Sequence, residues 1–286
     1  MRRYTLALVT AALALMCALQ PAWSGDAETS AALHAEGRRL LSQGEFVEAT
    51  RAFFKAFEAD ESTTENAELV TVLRRVISLR AELDRKRDDQ VWERSARSLR
   101  AFYYDHLIAQ EALALDEQFH ERFGTVESAT MLAESRMEMG LNEEAESLLA
   151  SIDAGKISIY GRFLHGIVLA RLGRFERAEQ IVQRTPLPSE ADTGLLFQSA
   201  RLRALLNDRA GALTQLARAF EQLPPSRQPI DRRRALACPD FGSLHGDADF
   251  SAALHTKSMV KESSCTGGSS CGGCRHAASC SRATGG

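Results

Sequence analysis

GEFVEATRAFFKAFE, residues 44–58, decides the fold. It places a glycine turn at Gly44, an aromatic residue at Phe46, a small residue at Ala49, and then Phe53 and Ala56 at helical spacing. The phrase returns three times. GLNEEAESLLASI (140–152) aligns Gly140, Ala145 and Leu149; GRFERAEQIV (173–182) aligns Gly173, Phe175, Ala178 and Val182; NDRAGALTQLARAF (207–220) aligns Asn207, Ala212, Leu216 and Ala219. Ala145, Ala178 and Ala212 stand 33 and 34 residues apart, and one step of 33 back from Ala145 reaches Ala112.

The period has a physical cause. Two short antiparallel helices need a turn, which Gly or Asn supplies by tolerating left-handed dihedrals. Where two helices cross closely only a small side chain fits, the role expected of Ala49, Ala112, Ala145, Ala178 and Ala212. Each helix pair leaves an apolar face uncovered, so neighbouring pairs must stack. From Ser30 to about Gln222 the chain is rich in Ala, Leu, Glu and Arg and poor in proline, as an all-α region requires.

The pattern of Gly37, Gly44, Phe46, Ala49, Phe53 and Ala56, and of Gly166, Gly173, Phe175 and Ala178, resembles the tetratricopeptide repeat. Registered on the small alanine, repeats are expected at about 30–63, 93–126, 126–159, 159–192 and 193–226 within a domain spanning 25–226. The stretch 64–92 is strongly helical but fits the motif poorly, and reads as a degenerate repeat or inserted helices. Several repeats lack the large aromatic residue of the first helix, and only the segment 173–186 ends in the expected proline, Pro186. The resemblance implies a right-handed α-solenoid acting as a protein-interaction scaffold, with a peptide or protein partner held in a concave groove. By register, Arg38, Leu41, Arg136, Arg162, His165, Leu169 and Arg203 fall in first helices and are the candidate groove residues. Residues 227–256 resemble the closing segment of such arrays, with Phe241, Leu244, Phe250 and Leu254 expected to cover the exposed end and Asp247 to Asp249 to cap a last helix.

The N-terminus reads as an address. Arg2 and Arg3 precede the apolar stretch TLALVTAALALMCAL, and Ala22-Trp23-Ser24 offers small residues for a signal peptidase, so residues 1–24 are expected to be removed and the mature chain exported to the periplasm or beyond. The alternatives are an uncleaved anchor, for which the apolar run is short, and a lipid-modified Cys17, against which the bulk of Met16 argues. No second apolar stretch follows, so no membrane span is expected after cleavage. A formal net charge of -3 with interleaved acids and bases offers no basic face for nucleic acid.

Export changes the reading of the Cys/Gly/Ser-rich tail, 257–286, which has too few apolar residues for a core and is expected to be disordered unless crosslinked or metal-bound. Cys265, Cys271, Cys274 and Cys280, with His276, are candidates for disulfides in an oxidising compartment or for a metal. The match to a structural zinc site is partial, since one Cys-x2-Cys knuckle stands with outlying single cysteines. A redox role for Cys271 and Cys274 lacks the helix and strand context such dithiols use. Cys238 is expected to be a small buried hydrophobe. A metal- or thiol-handling protein acting through this tail is therefore the rival to the scaffold. His34, His106, His120 and His165 have no partner at a spacing that defines a known site. Trp92, Phe102, Tyr103 and Tyr104 suit packing between helices, and Arg232-Arg233-Arg234 suits a solvated face. Nothing resembles a phosphate loop or a nucleophile elbow, and neither an enzyme nor a bound cofactor is expected.

Overall fold

The computed structural model describes residues 23–85 and 88–261. The fold is all-α: thirteen α-helices and one 3-10 helix, with no strand, among the described residues. In chain order the helices are α1 Trp23–Ser42, α2 Phe46–Ala59, α3 Thr64–Asp84, α4 Asp89–Asp105, α5 Ala109–Phe123 and α6 Val126–Glu138. They continue as α7 Asn142–Ser151, α8 Ile159–Arg171, α9 Phe175–Arg184, α10 Thr193–Leu205, α11 Arg209–Gln222 and α12 Gln228–Ala237, then the 3-10 turn Pro239–Leu244 and α13 Ala248–Leu254. The chain forms two compact units that divide between Leu141 and Asn142. Within each, helices pack mainly on their chain neighbours, as in an α-helical repeat stack. No helix among the described residues is long and apolar enough to cross a membrane.

The close-crossing alanines lie where the spacing requires them. Ala49, Ala145, Ala178 and Ala212 are fully buried and Ala112 is 2% exposed. The turns repeat too. Gly44, Gly140, Gly173 and Asn207 take φ between 61° and 78°. In each the following N–H reaches five residues back, as from Leu141 to the Arg136 carbonyl (2.9 Å), Arg174 to Leu169 (2.8 Å) and Asp208 to Arg203 (2.9 Å). This pairing satisfies carbonyls that a helix C-terminus would otherwise leave orphaned. The α4–α5 turn does the same with Leu107 at φ 59°, an L-residue in the left-handed region, and Ile108 bonding the Tyr103 carbonyl at 2.8 Å.

First helices begin on side-chain caps in the same period. Thr125 accepts from the Ser128 N–H (3.1 Å), Ser158 from Gly161 (3.1 Å) and Asp192 from Leu195 (2.8 Å), each satisfying a free helix-end donor. The stretch 64–92 supplies one long helix, α3, followed by the start of α4.

The N-terminal unit has one core, built on Phe46, Phe53, Leu73, Trp92, Leu99 and Phe119. Trp92, Phe102 and Tyr103 are buried in it and Tyr104 packs against it, the interhelical role their spacing implied. In the C-terminal unit Phe241, Leu244, Phe250 and Leu254 form one cluster with Ala212, Leu216 and Phe220 of α11. Asp247 caps α13 through the Asp249 N–H, and Cys238 is buried. Arg234 departs from the solvated-face reading: it pairs with Asp231 at 3.0 Å and lies over the Phe197 ring at 5.8 Å.

Candidate functional site

Two helices of the C-terminal unit stop early. Helices α7 and α9 are ten residues each, whereas α5 has 15 and α11 has 14. After α7, the Asp153 side chain accepts from the Gly155 N–H at 2.8 Å, a local bond that competes with helix continuation. After α9, Pro186 both lacks an N–H and disfavours helical dihedrals in Thr185. The lost turns leave a hollow of about 550 Å³ beside α8. That volume lies within the roughly 300–1,000 Å³ range of concave binding sites.

Leu149, Ile157, Leu169 and Ile181 give the hollow apolar walls, while Arg162, His165, Arg177 and Arg184 supply its basic groups. No Asp or Glu is among the lining residues. Arg162 donates to the Ala154 carbonyl at 3.3 Å and has no carboxylate partner among the described residues; the same is true of exposed Arg184. Arg177 lies 3.6 Å from Glu146, which also pairs with Arg174 at 3.0 Å. The His165 Nε2 is buried without a hydrogen-bond partner, 3.9 Å from the same Glu146 oxygen. Burial lowers the His165 pKa against the pull of Glu146, so the ring is neutral near pH 7. A second hollow, of about 320 Å³ and bounded by Tyr160, Phe197, Phe220, Leu223, Arg227 and Arg234, differs electrostatically. Both of its arginines face Asp231, at 3.5 and 3.0 Å.

Three of the seven candidate groove residues, Arg162, His165 and Leu169, meet in the first hollow, in company with second-helix residues. The other four are elsewhere. Arg203 pairs with Asp208 across the α10–α11 turn. Arg136 is half-buried near the end of α6. Arg38 pairs with Glu65 and donates to His34 Nε2 at 3.3 Å. Leu41 is 2% exposed in the N-terminal core, so it presents no surface to a partner. Cys265, Cys271, Cys274, Cys280 and His276 lie outside the described residues, as do residues 1–22. Among the described residues no group of three or more His, Cys, Asp or Glu is placed to hold a metal.

Two buried ionic clusters escaped the sequence reading. In the N-terminal unit Arg100 of α4 bonds both Asp116 oxygens at 3.0 Å, Glu134 at 2.7 Å and the Tyr104 hydroxyl at 3.2 Å. Ser135 also donates to Asp116 at 2.6 Å. One cation thus serves two carboxylates, and burial outweighs Arg100 and Ser135 to raise the Asp116 pKa. In the C-terminal unit the ratio is inverted. Asp240 takes a two-pronged contact from Arg171 (2.7 and 3.0 Å) and a 2.7 Å bond from Arg201. Burial alone would raise the Asp240 pKa, but the two guanidiniums together bring it below the ordinary value. A signal for the first cluster was available: Asp116 stands 33 residues before Leu149, in a register that Val182 and Leu216 continue, so an acid occupies an apolar position. Neither cluster lines the hollow, and both join helices within their own unit.

Comparison with protein-family models, curated proteins and solved structures found no match.

Proposed function

We propose that the chain is an exported helical-repeat scaffold of the tetratricopeptide type that binds a peptide segment of a partner protein. The repeat phasing of Gly44, Gly140, Gly173 and Asn207 and of the five buried alanines supports the family reading, and the N-terminal address supports export. One observation carries the binding role. In the α7–α9 hollow, apolar walls meet two arginines that lack carboxylate partners among the described residues, the combination of apolar surface and few polar anchors found in recognition sites. Fold alone does not supply a function; the hollow does.

The test is selection from a phage library of random 12-residue peptides against the immobilised full chain, with affinities of the selected peptides then measured by calorimetry. Saturable binding with Kd below about 100 μM, competed among the selected peptides, is the expected result. If no selected peptide binds better than an unrelated control, the scaffold reading fails.

A further inference from the structure

The hollow has a shape with a specific origin, and its origin describes its occupant. In the 33-residue register, buried Phe119 of α5 corresponds to Ile152, which follows the last residue of α7. One step further, the buried pair Ala219-Phe220 of α11 corresponds to Thr185-Pro186, just past the end of α9. Where α5 and α11 continue and fill their surroundings with a phenylalanine, α7 and α9 have both ended. The four or five residues missing from each amount to about 6–7.5 Å of helix at 1.5 Å per residue, a little over one turn.

Helix α9 leaves its own share uncovered: Ala178 is its one buried residue and Ile181 is half-buried at the hollow. The electrostatics select among occupants. Positive charge is in excess at the rim: Arg162 and Arg184 have no carboxylate partner among the described residues, and the carboxylate beside Arg177 and His165 is the one Glu146 that they share. A basic or purely apolar segment would leave that imbalance in place. An acidic one removes it. Arginine in particular presents a planar fork matched to carboxylate oxygens.

Resting on the scaffold reading above, we infer that the hollow between α7, α8 and α9 seats one helical turn of a partner peptide. Its large apolar side chain fills the space past the ends of α7 and α9, where the longer helices place Phe119 and, one register position further on, Phe220, and flanking carboxylates pair with Arg162 and Arg184. The mode is that of an amphipathic helix laid into a groove, with the apolar anchor giving affinity and the acids giving selectivity.

The experiment uses three fluorescein-labelled 14-residue helical peptides and the full chain, read by fluorescence anisotropy. The first carries a central phenylalanine flanked by glutamates, the second has alanine for the phenylalanine, and the third has lysines for the glutamates. The first is expected to bind, the second to bind at least tenfold more weakly, and the third not detectably. In an Arg162→Glu/Arg184→Glu variant, checked for an unchanged thermal melt, the first peptide should weaken at least tenfold and the third should gain. The inference is overturned if the first peptide does not bind, or if it binds wild type and variant equally. If library-selected peptides bind nonetheless, the scaffold reading survives and only this assignment of the occupant is lost; if they too fail, both go.

Discussion

Asp240→Asn tests the energetic logic of the C-terminal unit most directly. The Asp240 side chain is 2% exposed, Arg201 is 3% exposed and Arg171 is 12% exposed, so water screens the cluster little. Asparagine keeps the shape and one acceptor but removes the negative charge on which the two buried guanidiniums converge. Breaking a buried pair in this way costs about 3–5 kcal/mol. With a urea slope of about 2 kcal/mol/M, the unfolding midpoint should fall by about 2 M. The same change at Asp116 gives the contrast. Arg100 retains Glu134 at 2.7 Å, a balanced pair, and the loss should be about 1 kcal/mol, close to one hydrogen bond. The pH dependence separates the two further. Asp240 has a lowered pKa, so its stabilisation is present above the unfolded carboxylate value near 4 and is lost as pH falls through the lower folded value. Asp116 has a raised pKa; its contribution is largest in acid and is lost as pH rises through the raised folded value. Chemical denaturation by circular dichroism from pH 3 to 8 reads both. A midpoint shift below about 0.5 M for Asp240→Asn, or equal losses for the two variants, would refute the account of a shared buried carboxylate.

Leu107→Gly should stabilise the N-terminal unit by about 1 kcal/mol, because it relieves a left-handed L-residue. Gly140→Ala or Gly173→Ala should cost a similar amount through backbone strain alone, since nothing lies within 4 Å of an added Cβ; thermal melts of the three decide. Gly37→Ala should cost about 1–3 kcal/mol, because its Cβ would meet the Phe53 ring at 2.7 Å inside the core, and urea unfolding measures it. Protonating His165 adds a cation to the hollow, and burial holds that step below the ordinary imidazole value of about 6.5, so an acidic peptide should bind more tightly once pH falls through the lowered value, and His165→Asn should flatten that dependence in anisotropy titrations.

Local chemistry was legible in the sequence where one residue type has one physical use. Gly44, Gly140, Gly173 and Asn207 announce left-handed turns, and a small residue every 33 or 34 positions announces helix crossings. Leu107 was invisible by the same logic, since it does in a turn what leucine disfavours. The ionic clusters needed long-range knowledge: Asp240 meets Arg171 across 69 residues, a pairing no local pattern encodes. The hollow was half legible. Pro186 marked the end of α9, and first-helix register brought forward Arg162, His165 and Leu169, but the space itself arises from comparing where four second helices stop.

Helix α3 has a consequence for parity. The connections on either side of it, 60–63 and 85–88, are four residues each, within the usual length of a link between neighbouring helices. Two-helix hairpins preserve orientation from one to the next, because an even number of reversals restores it; a single helix does not. One helix, α3, stands between the α1–α2 hairpin and the α4–α5 hairpin, although their turns at Gly44 and Leu107 are built alike. The alanine period breaks at the same place: Ala49 and Ala112 stand 63 residues apart, short of two steps of 33, so the α1–α2 edge is set off from the register that runs from Ala112 to Ala212 rather than being one more step of the same ladder.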